Sequence, residues 1–154
     1  MRRMYETEAD IVRQNEILSA FADRCNAEWR PTPKAYPFDA CMLRGDRVVA
    51  FAEVKARKVA SDAYPSLLLS AHKWRDMVLF SDTTGVPTFL VAGYNDDVIR
   101  YLRVERDLLP PITFNGRADR GDKQDMEPMV ELENRLFSSF SRSSLSRSAC
   151  HMQG

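Results

Sequence analysis

The run from Arg47 to Lys55, RVVAFAEVK, constrains the fold most strongly, because it is apolar on both faces and then ends in two charges. Side chains alternate between the faces of a strand, so Glu53 and Lys55 share one face. Apolar side chains on both faces predict a central strand. Burial of two charges is costly unless partners or a metal compensate. We therefore expect Glu53 and Lys55 at the mouth of a cleft, where the apolar face runs out.

Hydrophobic periodicity and turn residues around this strand predict an α/β chain with a mixed sheet. Thr7 is a candidate helix cap, with Asp10 three residues later, and Gly85 and Pro87 are expected to stop a second helix. The expected elements are a helix over 7–26, an irregular or edge segment over 29–36, a hairpin of strands 38–43 and 47–55, a helix over about 66–83, and strands over 88–92 and 98–104.

The C-terminal third of the chain carries weaker signals. Residues 115–125 are rich in Gly, Asp and Arg, which predicts a long loop, and residues 129–132 form a candidate strand. From residue 138 onward Ser and Arg dominate and little could pack, so a flexible tail is expected. This predicts one domain over 1–137 and a tail over 138–154.

Composition excludes several classes of protein. The 154 residues suit one domain, and 22 basic against 22 acidic side chains argue against a purely electrostatic nucleic-acid binder. The three cysteines are scattered with no CxxC pair, which disfavours a structural zinc site or a disulfide framework. The apolar runs are too short to cross a bilayer, so no membrane partner is expected and a cytoplasmic location is the default.

Several segments together resemble the PD-(D/E)XK nuclease superfamily, and more narrowly small phage and prophage proteins of that type. They are Pro33-x-x-Tyr36-x-x-Asp39, Glu53-Val54-Lys55, Tyr64-Pro65-Ser66 with Leu69 to Lys73, and Gly116 to Asp122 with Gln124-Asp125 and Glu127-Pro128. The resemblance covers most of residues 10–137. The chain departs from the pattern in having Phe38 where a proline often precedes the aspartate.

The resemblance implies a restriction-endonuclease-like αβββαβ core and a metal-dependent endo- or exodeoxyribonuclease, located in the bacterial host cytoplasm if phage-encoded. Asp39 and Glu53 would hold Mg²⁺, with Mn²⁺ as a substitute, and Lys55 would meet the scissile phosphate or the attacking water. Mg²⁺ binds through one or two carboxylates and keeps several waters. DNA is the implied partner. The resemblance leaves open whether the protein forms a homodimer.

The superfamily usually adds a glutamate from the first helix, and two residues are candidates for this catalytic and metal-binding position. Helical periodicity favours Glu8, which lies beside the apolar stripe. The distance to Asp39 and the Asn15-Glu16 pair favour Glu16, which we choose. As a further implication of the resemblance, Lys73 would contact the phosphate near the metal. Arg57 and Lys58 continue the strand beyond Lys55 and are candidates to hold the nucleic-acid backbone, although charged strand ends are equally often simply solvated.

Strand register provides a physical test of the Asp39–Glu53 pair. With a two-residue turn at Gly45-Asp46 and regular pairing, Asp39 would lie opposite Ala52, and Glu53 would point to the other face. The shared site therefore requires an odd-length loop or a β-bulge. The motif alone fits a solvated strand end with an ion pair equally well. The alternative function is that of a nuclease-like fold without catalytic activity, which serves as a nucleic-acid-binding or assembly module.

Overall fold

The computed structural model describes residues 7–116 and 126–142, and these residues form two α-helices, nine strands and one 3₁₀ turn. The elements are α1 (Glu8–Arg24), β1 (Glu28–Pro31), β2 (Ala40–Arg44), β3 (Arg47–Ala56), β4 (Ser66–Ser70), α2 (Ala71–Thr84), β5 (Thr88–Gly93), β6 (Val98–Arg103), β7 (Ile112–Gly116), β8 (Met126–Glu133), the 3₁₀ turn Asn134–Leu136 and β9 (Ser138–Ser141).

The strands form two sheets. One has six strands in the order β1-β2-β3-β5-β6-β9, and the other has three in the order β4-β8-β7. Strand β3 lies inside the larger sheet, antiparallel to β2 and parallel to β5. The prediction that this apolar run is a central strand is confirmed.

Helix α1 covers one face of the larger sheet. Thr7 and Asp10 form the capping box at its start, with two reciprocal hydrogen bonds of 3.1 Å between side chain and backbone. Its apolar stripe, including Phe21, packs against Ala52 and Val54 of β3. This face therefore carries the even-numbered residues at the end of β3.

Helix α2 and the smaller sheet cover the opposite face. Phe51 of β3 belongs to this second core, together with Trp74 and Met77 of α2 and Leu132 of β8. Because α1 and α2 lie on opposite faces, the odd-numbered residues at the end of β3 point toward α2. Side chains of α2 therefore lie on the face to which Glu53 points, whereas α1 covers the other face.

Two predictions about the elements were wrong. The second helix begins at Ala71 rather than near Ser66, because Leu67 and Leu69 alternate with less buried neighbours in strand β4. Residues 138–141 form strand β9 rather than part of a flexible tail. Phe140 anchors this strand, packing against Tyr101 with ring centroids 6.1 Å apart.

The predicted 115–125 loop is shortened by strand β7, which includes Asn115 and Gly116. The remainder of that loop, over 117–125, and the tail over 143–154 lie outside the described residues. The sequence order α1-β1-β2-β3-α2-β5, with β4 added before α2, is the αβββαβ order of a restriction-endonuclease-like core. In the described part of the chain, no helix is both long and apolar enough to span a bilayer.

Candidate active site

A β-bulge sets the register between the two strands that carry the candidate carboxylates. Arg44 pairs with Arg47 around the two-residue turn, but Met42 pairs with Ala50, which leaves Val49 as an extra residue. Gly45 has a φ of 67°, as the first central position of a II′ hairpin turn prefers. The register shift that a shared site requires is therefore present, and it comes from a bulge rather than from an odd-length loop.

Beyond the bulge, the ladder pairs Ala40 with Ala52, which brings Asp39 opposite Glu53 on the same face. The backbone N–H of Asp39 donates to the Ala52 carbonyl at 3.0 Å. The Asp39 side chain accepts a hydrogen bond of 2.8 Å from the Val54 N–H through Oδ2. Two residues of β3, Ala52 and Val54, therefore hold Asp39 in place on either side of Glu53.

The segment before Asp39 is also fixed. The Thr32 hydroxyl donates to the Phe38 carbonyl at 2.6 Å, and the Thr32 N–H donates to the Asp39 carbonyl at 3.0 Å. The Phe38 ring stacks on Phe51 with centroids 4.3 Å apart. Phe38 thus replaces the proline of the superfamily pattern with an aromatic contact to the strand that carries Glu53.

Glu53 is a buried carboxylate whose burial is only partly compensated by neighbouring cations and hydrogen-bond donors. The side chain of Glu53 is 5% exposed, and its Oε2 lies 3.2 Å from Lys73 Nζ and 3.9 Å from Lys55 Nζ. Burial, followed by the neighbouring Asp39 carboxylate, raises the pKa of Glu53 to about 7, although both lysines act in the opposite direction. Its Oε1 is buried, and no group among the described residues forms a hydrogen bond with it.

The orphaned Oε1 and the adjacent Asp39 fit the coordination of a hard divalent cation. Mg²⁺ takes oxygen ligands and completes its shell with water. A bound cation would supply the partner that Oε1 lacks and would remove the repulsion between Asp39 and Glu53. The residues present therefore fit a Mg²⁺ or Mn²⁺ ion held by two carboxylates.

The expectation that Glu16 supplies a further carboxylate needs correction. Helix α1 packs on the face of Ala52 and Val54, whereas Glu53 points to the α2 face. The Glu16 carboxylate lies 3.6 Å from Arg142 Nη1, and Glu8 is exposed in the first turn of α1. No cluster of three or more Asp, Glu, His or Cys side chains suited to a metal exists within residues 7–116 and 126–142.

The three predicted nucleic-acid contacts occupy different positions. Lys73, on the first turn of α2, faces the site through its contact with Glu53. Lys58 is solvent-exposed, with its Nζ 3.4 Å from Asp10 Oδ1. Arg57 is half-buried, and its carbonyl accepts a hydrogen bond of 3.1 Å from Arg13 Nη2. The structure thus brings Lys73, Lys55, Glu53 and Asp39 together and leaves Arg57 and Lys58 at the strand end.

Comparisons with known proteins bear on the class of this site. No curated protein matches the chain. Among solved structures, the Holliday junction resolvase Hjc of Archaeoglobus fulgidus is similar at 17% sequence identity with a TM-score of 0.47, over 84% of this chain and 89% of that chain. Residues 1–140 match the family described as "Phage putative PDDEXK endonuclease". The chain therefore belongs to this family of phage PDDEXK nucleases.

Proposed function

We propose that the protein is a divalent-metal-dependent nuclease that hydrolyses phosphodiester bonds in DNA. Family membership supports a nuclease. Asp39 and Glu53 would hold the metal ion, and Lys55 would act on the reacting phosphate. This assignment places all three residues at the end of the β2–β3 hairpin, on the face covered by α2.

The observation that carries the proposal is the unpartnered oxygen of buried Glu53 next to a second carboxylate. A buried polar atom without a partner destabilises a fold by roughly 1–3 kcal/mol. A purely structural ion pair with Lys73 would not require Asp39 nearby, because that carboxylate disfavours ionisation of Glu53. Perturbed carboxylates of this kind are concentrated at functional sites.

Bound Mg²⁺ would contribute polarisation of a phosphoryl oxygen and activation of water near neutral pH. The Val54 amide donates a hydrogen bond to Asp39 Oδ2 and fixes the plane of the carboxylate, so Asp39 is oriented for metal binding in advance. Glu53 must be ionised to bind a cation, so metal binding competes with protonation and should weaken as the pH falls below the raised pKa of about 7 of the metal-free protein. Lys55 is 36% exposed in its side chain, so its ammonium group can reach a phosphate at the cleft mouth.

Incubation of the purified protein with labelled single-stranded, duplex and branched DNA tests the proposal. We expect at least one form to be cut in Mg²⁺ or Mn²⁺ and none in EDTA. Glu53→Gln, purified in parallel, should be inactive and thereby exclude a contaminating nuclease. A wild type that cuts none of these DNA forms in either metal would contradict the proposal and favour the alternative, a nuclease-like fold that serves as a binding or assembly module.

A further inference from the structure

An open groove adjoins the candidate active site between the segment that precedes β2 and the outer side of α2. Its volume is about 590 Å³, and its walls include Tyr36, His72, Lys73, Asp76, Leu79 and Phe80. This volume lies within the roughly 300–1,000 Å³ of small-molecule sites. The groove is therefore large enough for one nucleotide.

An aromatic cluster fixes the position of Tyr36 in this groove. The Tyr36 ring centroid lies 5.8 Å from Phe80 and 6.1 Å from Phe38. Phe80 in turn packs edge-on against Phe38 and Phe51, at 4.8 and 5.1 Å. Tyr36 remains 42% exposed, so a supported aromatic ring is available to a ligand at little cost in side-chain entropy.

The groove is continuous with the site through Lys73. This lysine lines the groove and also lies 3.2 Å from Glu53, and Tyr36 precedes Asp39 by only three residues. Among the described residues, the wall contains one carboxylate, Asp76, which forms an ion pair with Arg75 at 2.8 Å and has His72 Nδ1 at 3.8 Å. The lining thus offers an aromatic face, a cation near the proposed scissile phosphate and little unpaired negative charge.

We propose that this groove binds an unpaired nucleobase of the substrate strand, stacked on Tyr36 next to the phosphate that is cut. A base inside a duplex already has its faces stacked, whereas an unpaired base can place one face on an aromatic side chain. The protein would then prefer DNA with a single-stranded nucleotide beside the cut. This inference rests on the proposed nuclease function and specifies its substrate class.

Equilibrium binding of fluorescent DNA by variants at position 36 tests the groove. Lys55→Ala serves as a common background in Ca²⁺, and a single-stranded oligonucleotide is compared with a blunt duplex of the same sequence. Tyr36→Ala and Tyr36→Leu should each weaken single-strand binding by about 10- to 100-fold, the range measured for loss of one stacked base. Tyr36→Phe and the control Tyr64→Ala, at an exposed tyrosine that is not part of the groove wall, should change binding less than about threefold.

Tyr36→Leu protects the test against misfolding, because leucine keeps apolar contact with Phe80, and thermal melts verify that each variant is folded. Duplex binding should change less than about threefold in every variant. Unchanged single-strand binding in Tyr36→Ala and Tyr36→Leu, or equal losses for both DNA forms, would overturn the stacking proposal. The separate cleavage assay of the wild type decides the nuclease proposal, so the two can fail independently.

Discussion

The backbone N–H of Val54 donates a 2.8 Å hydrogen bond to Asp39 Oδ2, which ties the aspartate to the peptide group that follows Glu53. The bond exists because the bulge at Val49 shifts the β2–β3 ladder by one residue. Without this shift the two carboxylates would point to opposite faces of the sheet. A local irregularity in the hairpin therefore determines whether the chain can assemble a two-carboxylate site.

Divalent metal is expected to stabilise the wild-type protein, because a ligand that binds only the native state adds stability by mass action. At a concentration of 100 Kd the gain is about 2.7 kcal/mol, which is roughly 5–11 °C in Tm for a domain of this size. Thermal melts in EDTA and in Mn²⁺ measure the shift. Asp39→Ala should abolish it.

Asp46→Asn is the matched control for this measurement, since Asp46 is an exposed carboxylate in the turn of the same hairpin. It should retain the full metal-induced shift. Coincident wild-type melts with and without Mn²⁺ would count against a metal site at Asp39 and Glu53.

Glu53 should make the metal-free protein less stable as pH rises. Because burial and Asp39 raise its pKa to about 7, the unfolded chain ionises first, and stability falls between pH 4.5 and about 7 before it levels off. The shift corresponds to at most about 3 kcal/mol. Urea unfolding in EDTA across this range should show that Glu53→Gln lacks this loss. Parallel stability–pH curves for the two proteins would refute the buried, perturbed carboxylate.

Lys73 should compete with metal for Glu53, since its ammonium lies 3.2 Å from Oε2. Lys73→Met keeps most of the apolar stem and removes the charge. We expect Mn²⁺ affinity to rise about tenfold, because a unit charge at about 4 Å is worth roughly 1–4 kcal/mol near a protein surface. Calorimetric titration at pH 8 measures the affinity, and Arg106→Ala, which removes a distant surface pair with Asp82, is the control. Weaker Mn²⁺ binding by Lys73→Met would show that the lysine supports the metal site instead.

Close packing between β5 and α1 should make Gly93 intolerant of a side chain. A Cβ at this position would lie 2.5 Å from Ile17 Cδ1 and 2.6 Å from Ile17 Cγ1. We expect Gly93→Ala to destabilise the fold by about 1–3 kcal/mol, as overpacking does in other cores. In a double-mutant cycle measured by urea unfolding, Ile17→Val should recover part of this loss. Strictly additive effects would contradict the close approach.

The central strand, the first helix with its cap and the pairing of Asp39 with Glu53 were predicted from the sequence. Their signals are the alternation of side chains between strand faces, the capping residue and the superfamily motif, and each of these lies within short stretches of the chain. Strand β4 was missed because Leu67 and Leu69 are followed directly by a helix, so the two patterns merged into one apolar segment. Strand β9 was missed because Phe140 is its single large apolar residue. Its pairing with β6 is a long-range contact that leaves little local trace.

The position of Glu16 could not be predicted from the sequence for a geometric reason. Helical spacing shows which residues share a side of α1, but it does not show which face of the sheet the helix covers. The structure places α1 behind Ala52 and Val54, opposite the side to which Glu53 points. Lys73 of α2 faces the carboxylate instead.

Cleavage of labelled DNA by Lys55→Ala, at saturating substrate and metal, tests the catalytic role of the hairpin most directly. The variant should bind Mn²⁺ at least as tightly as the wild type, since the lost ammonium lies 3.9 Å from Glu53 Oε2, but it should cut at least about 10²–10³ times more slowly, because a positioned charge at the reacting phosphate is lost. Arg106→Ala, which removes a surface charge distant from the site, should cut at close to the wild-type rate. A Lys55→Ala protein that cuts as fast as the wild type would contradict the proposed mechanism.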